Sequence, residues 1–75
     1  MLRNFAGFHV LGGEPHFGIS DLDECLTVCM EDDECGAVDF NGSDSAYLGA
    51  HCWIHKNPVG EAIRNENGAD HYRKE

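Results

Sequence analysis

The stretch Ser20-Asp21-Leu22-Asp23-Glu24-Cys25-Leu26-Thr27-Val28-Cys29-Met30 runs on through Glu31-Asp32-Asp33-Glu34 to Cys35-Gly36-Ala37-Val38-Asp39-Phe40, and its reading decides the fold. Its first half predicts a helix from about Asp21 to Met30. Ser20 is a suitable N-cap, and Asp23 three residues later completes a capping-box pattern. Asp21, Asp23 and Glu24 place negative charge at the positive end of the helix dipole. Leu22, Cys25, Leu26 and Cys29 follow the i, i+3, i+4, i+7 spacing, so they share one face. The acidic run Glu31–Glu34 is unfavourable at the negative end of a helix dipole and marks where the helix stops. Gly36–Phe40 then reads as a strand, followed by the turn dipeptide Asn41-Gly42.

Outward from that stretch the chain alternates short extended segments with turns. Residues 4 to 11 read as a first strand weakened by Gly7, and Gly12-Gly13-Glu14-Pro15 as a turn. His16–Ile19 forms a short extended lead into the helix. On the C-terminal side a loop through Ser43–Ala50 reaches a second strand, His51-Cys52-Trp53-Ile54-His55, which Asn57-Pro58 ends. Residues 57 to 68 show no clear period. Ala69-Asp70-His71-Tyr72-Arg73 reads as a closing strand. There are no internal repeats, and residues 1–75 are expected to form one domain.

Four cysteines in a chain of 75 residues read as a disulfide framework made in an oxidising compartment. A core this small rarely supplies more than roughly 3–5 kcal/mol net, so the bridges supplement it. The spacing C-x3-C-x5-C-x16-C bunches three cysteines and leaves one distant, unlike the two tight pairs of a structural zinc site. Cys25 and Cys29 lie one turn apart with nearly parallel Cβ directions, so they do not bond to each other without distortion. Cys29 in the last helical turn is placed to join Cys35 at the start of the next strand. Cys25 is then left for Cys52 on the far strand. Chain-entropy estimates for these two loops are about 2.5 and about 3.5 kcal/mol.

The formal net charge of −9, from 14 acidic and five basic residues, argues against nucleic acid or a membrane surface as partner. Protonation of all five histidines would bring it to −4, so charge-driven behaviour could change near about pH 6. The opening residues Met1-Leu2-Arg3-Asn4 lack the apolar stretch of a signal peptide, and nothing approaches a membrane span. A secreted form is expected to have lost its signal or to be a module of a longer protein.

The ordered set Cys25-x3-Cys29-x5-Cys35-Gly36-Ala37-Val38-Asp39-Phe40-Asn41, Cys52-Trp53-Ile54-His55 and Asp70-His71-Tyr72-Arg73-Lys74 resembles the PAN/apple family. Leu22 takes the position of the family's helix leucine. Val38 and Phe40 take the apolar strand positions, and Tyr72 the final aromatic. The match runs from roughly Phe5 to the C-terminus. It implies an α+β domain, one helix packed on a curved antiparallel sheet of about five strands, with two bridges tying helix to central strands. The third bridge of apple domains, between the termini, has no cysteines here, so the likeness is to the four-cysteine PAN form. Members of the family act as non-catalytic binding modules for proteins or carbohydrates in extracellular proteins.

Asn41-Gly42-Ser43 is an N-glycosylation sequon, which in a secreted protein is expected on an exposed turn. His51 and His55 alternate onto one strand face with Trp53, and this trio is the candidate binding face. Two histidines four residues apart in a strand span about 13 Å, too far to share one zinc. A metal would need His9 or His71 from other strands. The acidic clusters lack the EF-hand pattern, so no metal and no cofactor are expected. Paired cysteines cannot act as nucleophiles, and no hydrolase motif is present, so no enzyme is expected. The expected function is a secreted module binding another extracellular protein, possible copies of itself included. The alternatives are a carbohydrate-binding module and a building block of an extracellular matrix or filament.

Overall fold

A computed structural model describes residues 2–42, 49–64 and 68–75, so most of the loop expected over Ser43–Ala50 lies outside the described residues. Among the described residues seven strands and one helix follow in the order β1 (Leu2–Ala6), β2 (Phe8–His9), β3 (Glu14–His16), α1 (Leu22–Glu31), β4 (Cys35–Asn41), β5 (Cys52–Lys56), β6 (Ile63–Arg64) and β7 (Ala69–Lys74). Five strands form one antiparallel sheet in the order β1-β7-β4-β5-β3. β2 and β6 pair separately as a two-stranded ribbon. The architecture is α+β, one helix on a five-stranded antiparallel sheet with two disulfides.

The helix begins one residue later than its sequence suggests. Asp21, not Ser20, is the N-cap: its backbone is extended and its carboxylate accepts the Glu24 amide at 3.3 Å. The acidic run does end the helix, and it also shapes the reversal. The Asp32 amide donates to Cys29 O, its carboxylate accepts the Glu34 amide, and its carbonyl accepts from Cys35 N and Lys74 Nζ. That lysine places a cation at the negative end of the helix. The turn brings Cys35 back under Cys29, and the two are bonded; Cys25 is bonded to Cys52.

The expected first strand is two strands. Gly7 has φ +79°, a left-handed conformation that breaks the run. β1 stays in the main sheet beside β7, whereas β2 turns out of it to pair with β6, a strand that residues 57–68 gave no periodicity to announce. β3 also extends into the expected Gly12–Pro15 turn, because Glu14 and Pro15 pair with Ile54 and Trp53 at the sheet edge. Proline is tolerated there, since an edge strand needs fewer ladder donors.

Alternation along the strands gives the sheet two different faces. One carries Val38, Cys52 and Ile54, which with Ile19, Cys25, Cys29 and Cys35 form the buried core beneath α1; Phe40, Tyr72 and Leu26 pack around it. Facing pairs Val38↔Ile54 and Val38↔Tyr72 put β4 at its centre. The other face is polar. It presents Asp39 opposite Trp53 on β5 and opposite His71 on β7, with His55 one pair along.

Candidate functional site

Asp39 stands at the middle of the polar face and is only 5% exposed. Its Oδ1 accepts from His71 Nδ1 at 2.6 Å, and its Oδ2 from His55 Nε2 at 2.9 Å and from the Val10 backbone N–H at 2.9 Å. All three partners are buried as well. Burial alone would raise the Asp39 carboxyl, but the hydrogen bonds from His55, His71 and the Val10 amide outweigh it and hold the group below its ordinary 3.8. The negative charge is therefore kept and compensated.

The network continues outward. Arg73 Nε donates to His71 Nε2 at 3.2 Å, and Arg73 Nη2 donates to Gly60 O at 2.7 Å. A guanidinium has only donors, so His71 Nε2 must present its lone pair. The proton of His71 then sits on Nδ1, where it meets Asp39. Four side chains from β4, β5 and β7 thus make one chain of hydrogen bonds with a fixed direction.

The segment after β2 lies over this network. Val10 is pinned by its N–H on Asp39, and Gly13 is so close to His55 that a Cβ there would stand 2.7 Å from the ring. Only glycine permits that approach. Between this segment and the sheet runs an open cleft of about 240 Å³, lined by His9, Val10–Gly13, Asp39, Asn41, Trp53 and Ala69. A second cleft on the other side of the same segment reaches His55, Pro58, Val59 and Gly60. Leu11 borders both and is 75% exposed.

The trio expected as one binding face divides between three settings. Trp53 is half-buried in the first cleft, with its indole N–H on Ala50 O at 3.3 Å. His55 is buried on Asp39. His51 turns its Nδ1 to the carbonyls of Asn41 and Gly42, at 3.1 and 3.2 Å, with its ring beside Phe40. Alternation predicts the shared side of the strand but not that the sheet face around His55 is covered. Asn41, expected on an exposed turn, is instead the last residue of β4 and only 3% exposed. Its backbone is paired to β7 and to His51, which draws the turn dipeptide's first residue into the sheet.

Sequence reasoning named His71 only as a possible metal partner and missed Asp39 and Arg73. The available signal was a lone carboxylate between Val38 and Phe40 in a strand with partners on both sides, where an unpaired charge is costly. Among the described residues no group of three or more His, Cys, Asp or Glu side chains could hold a metal ion, and no helix is long and apolar enough to cross a membrane. A comparison with known proteins finds no matching family model, curated protein or solved structure.

Proposed function

We propose that the chain is a non-catalytic binding module of the PAN/apple type, acting outside the cell and holding a protein partner at the cleft beside Trp53. The observation that carries this is the cleft itself, with Leu11 standing 75% exposed on its rim over a floor of buried polar groups. A large apolar side chain held out by a loop beside a half-buried tryptophan is the composition of an interface anchor. Asp39 has both oxygens occupied and all four cysteines are bridged, so the conspicuous reactive groups serve the scaffold. Two disulfides fit folding in an oxidising compartment. The net charge of −9 favours a partner with a basic surface.

The test is capture from extracellular material by the folded domain, compared with the Leu11→Asp and Trp53→Ala variants, while light scattering reads self-association. A protein retained by the wild type and lost from both variants supports the reading. Failure to retain any protein, or equal retention by all three, overturns it. Carbohydrate binding is the second reading, favoured by Trp53 and Asn41 sharing one cleft. A blank glycan array removes it.

A further inference from the structure

The segment Val10–Gly12 walls both clefts, Gly13 lines the first and Gly60 the second, and titratable groups hold three of these points. Val10 hangs on Asp39 by its N–H, Gly13 rests on the His55 ring, and Gly60 is held by Arg73 through its carbonyl. Gly60 in turn lies against Val10, since a Cβ at Gly60 would stand 3.3 Å from Val10 Cγ1. We propose that Asp39, His71 and Arg73 form a proton-operated latch, in which a second proton on His71 expels Arg73, frees Gly60 in the second cleft and, through Gly60, loosens Val10, which walls both clefts. The role of the latch rests on the cleft being the working site; the motion itself is a property of the fold without ligand.

The polarity of the hydrogen bonds dictates which proton matters. A proton added to His71 goes on Nε2, the atom that now accepts from Arg73 Nε at 3.2 Å. Two donors then point at each other beside a guanidinium that cannot give up its own proton. Arg73 must turn away, and its Nη2 leaves Gly60 O with it. A proton added to His55 has the opposite effect, because it places a cation on Asp39 Oδ2 and tightens the contact.

The groups around His71 are few. β4 contributes Asp39, β5 contributes His55 with ring centroids 6.1 Å apart, and β1 contributes the Phe5 ring at 6.0 Å. On β7 itself the neighbour is Arg73, which stands across from Arg3 in the β1 register. β2, packed against β7, carries His9 as its titratable residue. Among the described residues Asp39 is the anion bonded to the ring, and it is already shared with His55 and Val10.

The experiment is a two-dimensional amide NMR titration of the intact, bridged domain without ligand, from about pH 7.5 to about pH 5, the range in which histidine ordinarily titrates. The Val10, Gly13, Gly60 and Arg73 Nε resonances are expected to move together with His71 Nε2. In His71→Gln the side chain can still donate to Asp39 and accept from Arg73 but takes up no proton, so the Gly60 and Arg73 Nε resonances stay in place, whereas Val10 and Gly13 still report His55. Arg73→Gln at pH near 7.5 is expected to show Val10 and Gly60 already displaced toward their acid positions. Gly60 and Arg73 Nε resonances that do not move in the wild type, or that move equally in His71→Gln, overturn the latch. Should His71→Gln not fold, Arg73→Gln decides, and wild-type positions for Val10 and Gly60 overturn it. None of these outcomes touches the cleft as a binding site, which the Trp53→Ala capture experiment reads separately.

Discussion

Asp39→Asn is the substitution from which the structure predicts most. The change keeps the shape of the side chain and removes one acceptor oxygen and the charge. If the new amide nitrogen faces His71 Nδ1, that donor loses its acceptor, and His71 cannot switch tautomer without turning a donor toward Arg73 Nε. If the amide nitrogen faces the other way, the Val10 N–H is stranded, and a backbone amide has no alternative tautomer. Either orientation leaves a buried donor unmet, at about 1–3 kcal/mol, and breaks charge-assisted bonds as well. Removing one partner of a buried ionic network costs about 3–5 kcal/mol. A loss of about 3 kcal/mol is therefore expected, which at this size lowers Tm by roughly 12–24 °C. Circular dichroism during thermal and urea unfolding near pH 7, with both bridges intact, measures it. The pH dependence supplies a second reading. The Asp39 carboxyl is held below 3.8 in the folded state, so its contribution is full above the unfolded value and lost as pH falls through the folded one. The variant should lack that part of the acid slope. A variant within about 0.5 kcal/mol of wild type, the scale of an ordinary surface change, would refute the network as a structural element.

Further outcomes follow from other parts of the fold. The bridges close loops with sequence separations of 27 for Cys25–Cys52 and 6 for Cys29–Cys35, so paired alanine substitutions should cost about 3.6 and about 2.3 kcal/mol respectively; urea midpoints in that order check it. Gly13→Ala drives a Cβ to 2.7 Å from a His55 ring that Asp39 holds in place, and should lose about 1–3 kcal/mol by thermal unfolding. Gly18→Ala meets open space and should stay within about 0.5 kcal/mol. Because Asn41 is 3% exposed in the sheet, intact mass after secretion from eukaryotic cells should show no glycan, and a glycosidase-sensitive increment would contradict that burial. Burial, and then the charge of Asp70, hold the Tyr72 phenol above 10.0, so alkaline absorbance titration should show a late component absent from Tyr72→Phe. The folded value being the higher one, that contribution to stability is present below about pH 10 and lost as pH rises through it.

The parts of the fold written locally were legible. The helix face of Leu22, Cys25, Leu26 and Cys29 follows from a 3.6 period, and the acidic run both stops the helix and makes the turn that sets Cys35 beneath Cys29. β4, β5 and β7 each fall within one or two residues of the segments their sequence suggests. Gly7 was a visible weakness in the first strand, yet local pattern does not say that the chain leaves the sheet there to pair with Ile63 and Arg64, more than fifty residues on. The site was harder for the same reason. Period two assigns Asp39, His55 and His71 to faces of their own strands, but their meeting depends on the register of three strands and on a loop that covers them. Only Asp39 carried a local clue, a charge amid apolar neighbours.

The two faces of the sheet divide the work of the molecule. A chain of 75 residues lacks the apolar side chains for a hydrophobic layer on both sides, and this one spends them under the helix, where both bridges also lie. On the other face a hydrogen-bonded polar network takes the place of a second core, and it fixes the position of the loop that carries Leu11. Substitutions beneath the helix should therefore lower stability and leave the geometry of the cleft unchanged in the molecules that remain folded. If the cleft binds as proposed, substitution of the exposed Leu11 should alter binding with little effect on unfolding. Asp39 is where the two meet, since its neighbours Val38 and Phe40 face the core while its own oxygens hold the loop. There, at the histidines bound to it and at Gly13 packed on His55, stability and the geometry of the cleft should change together.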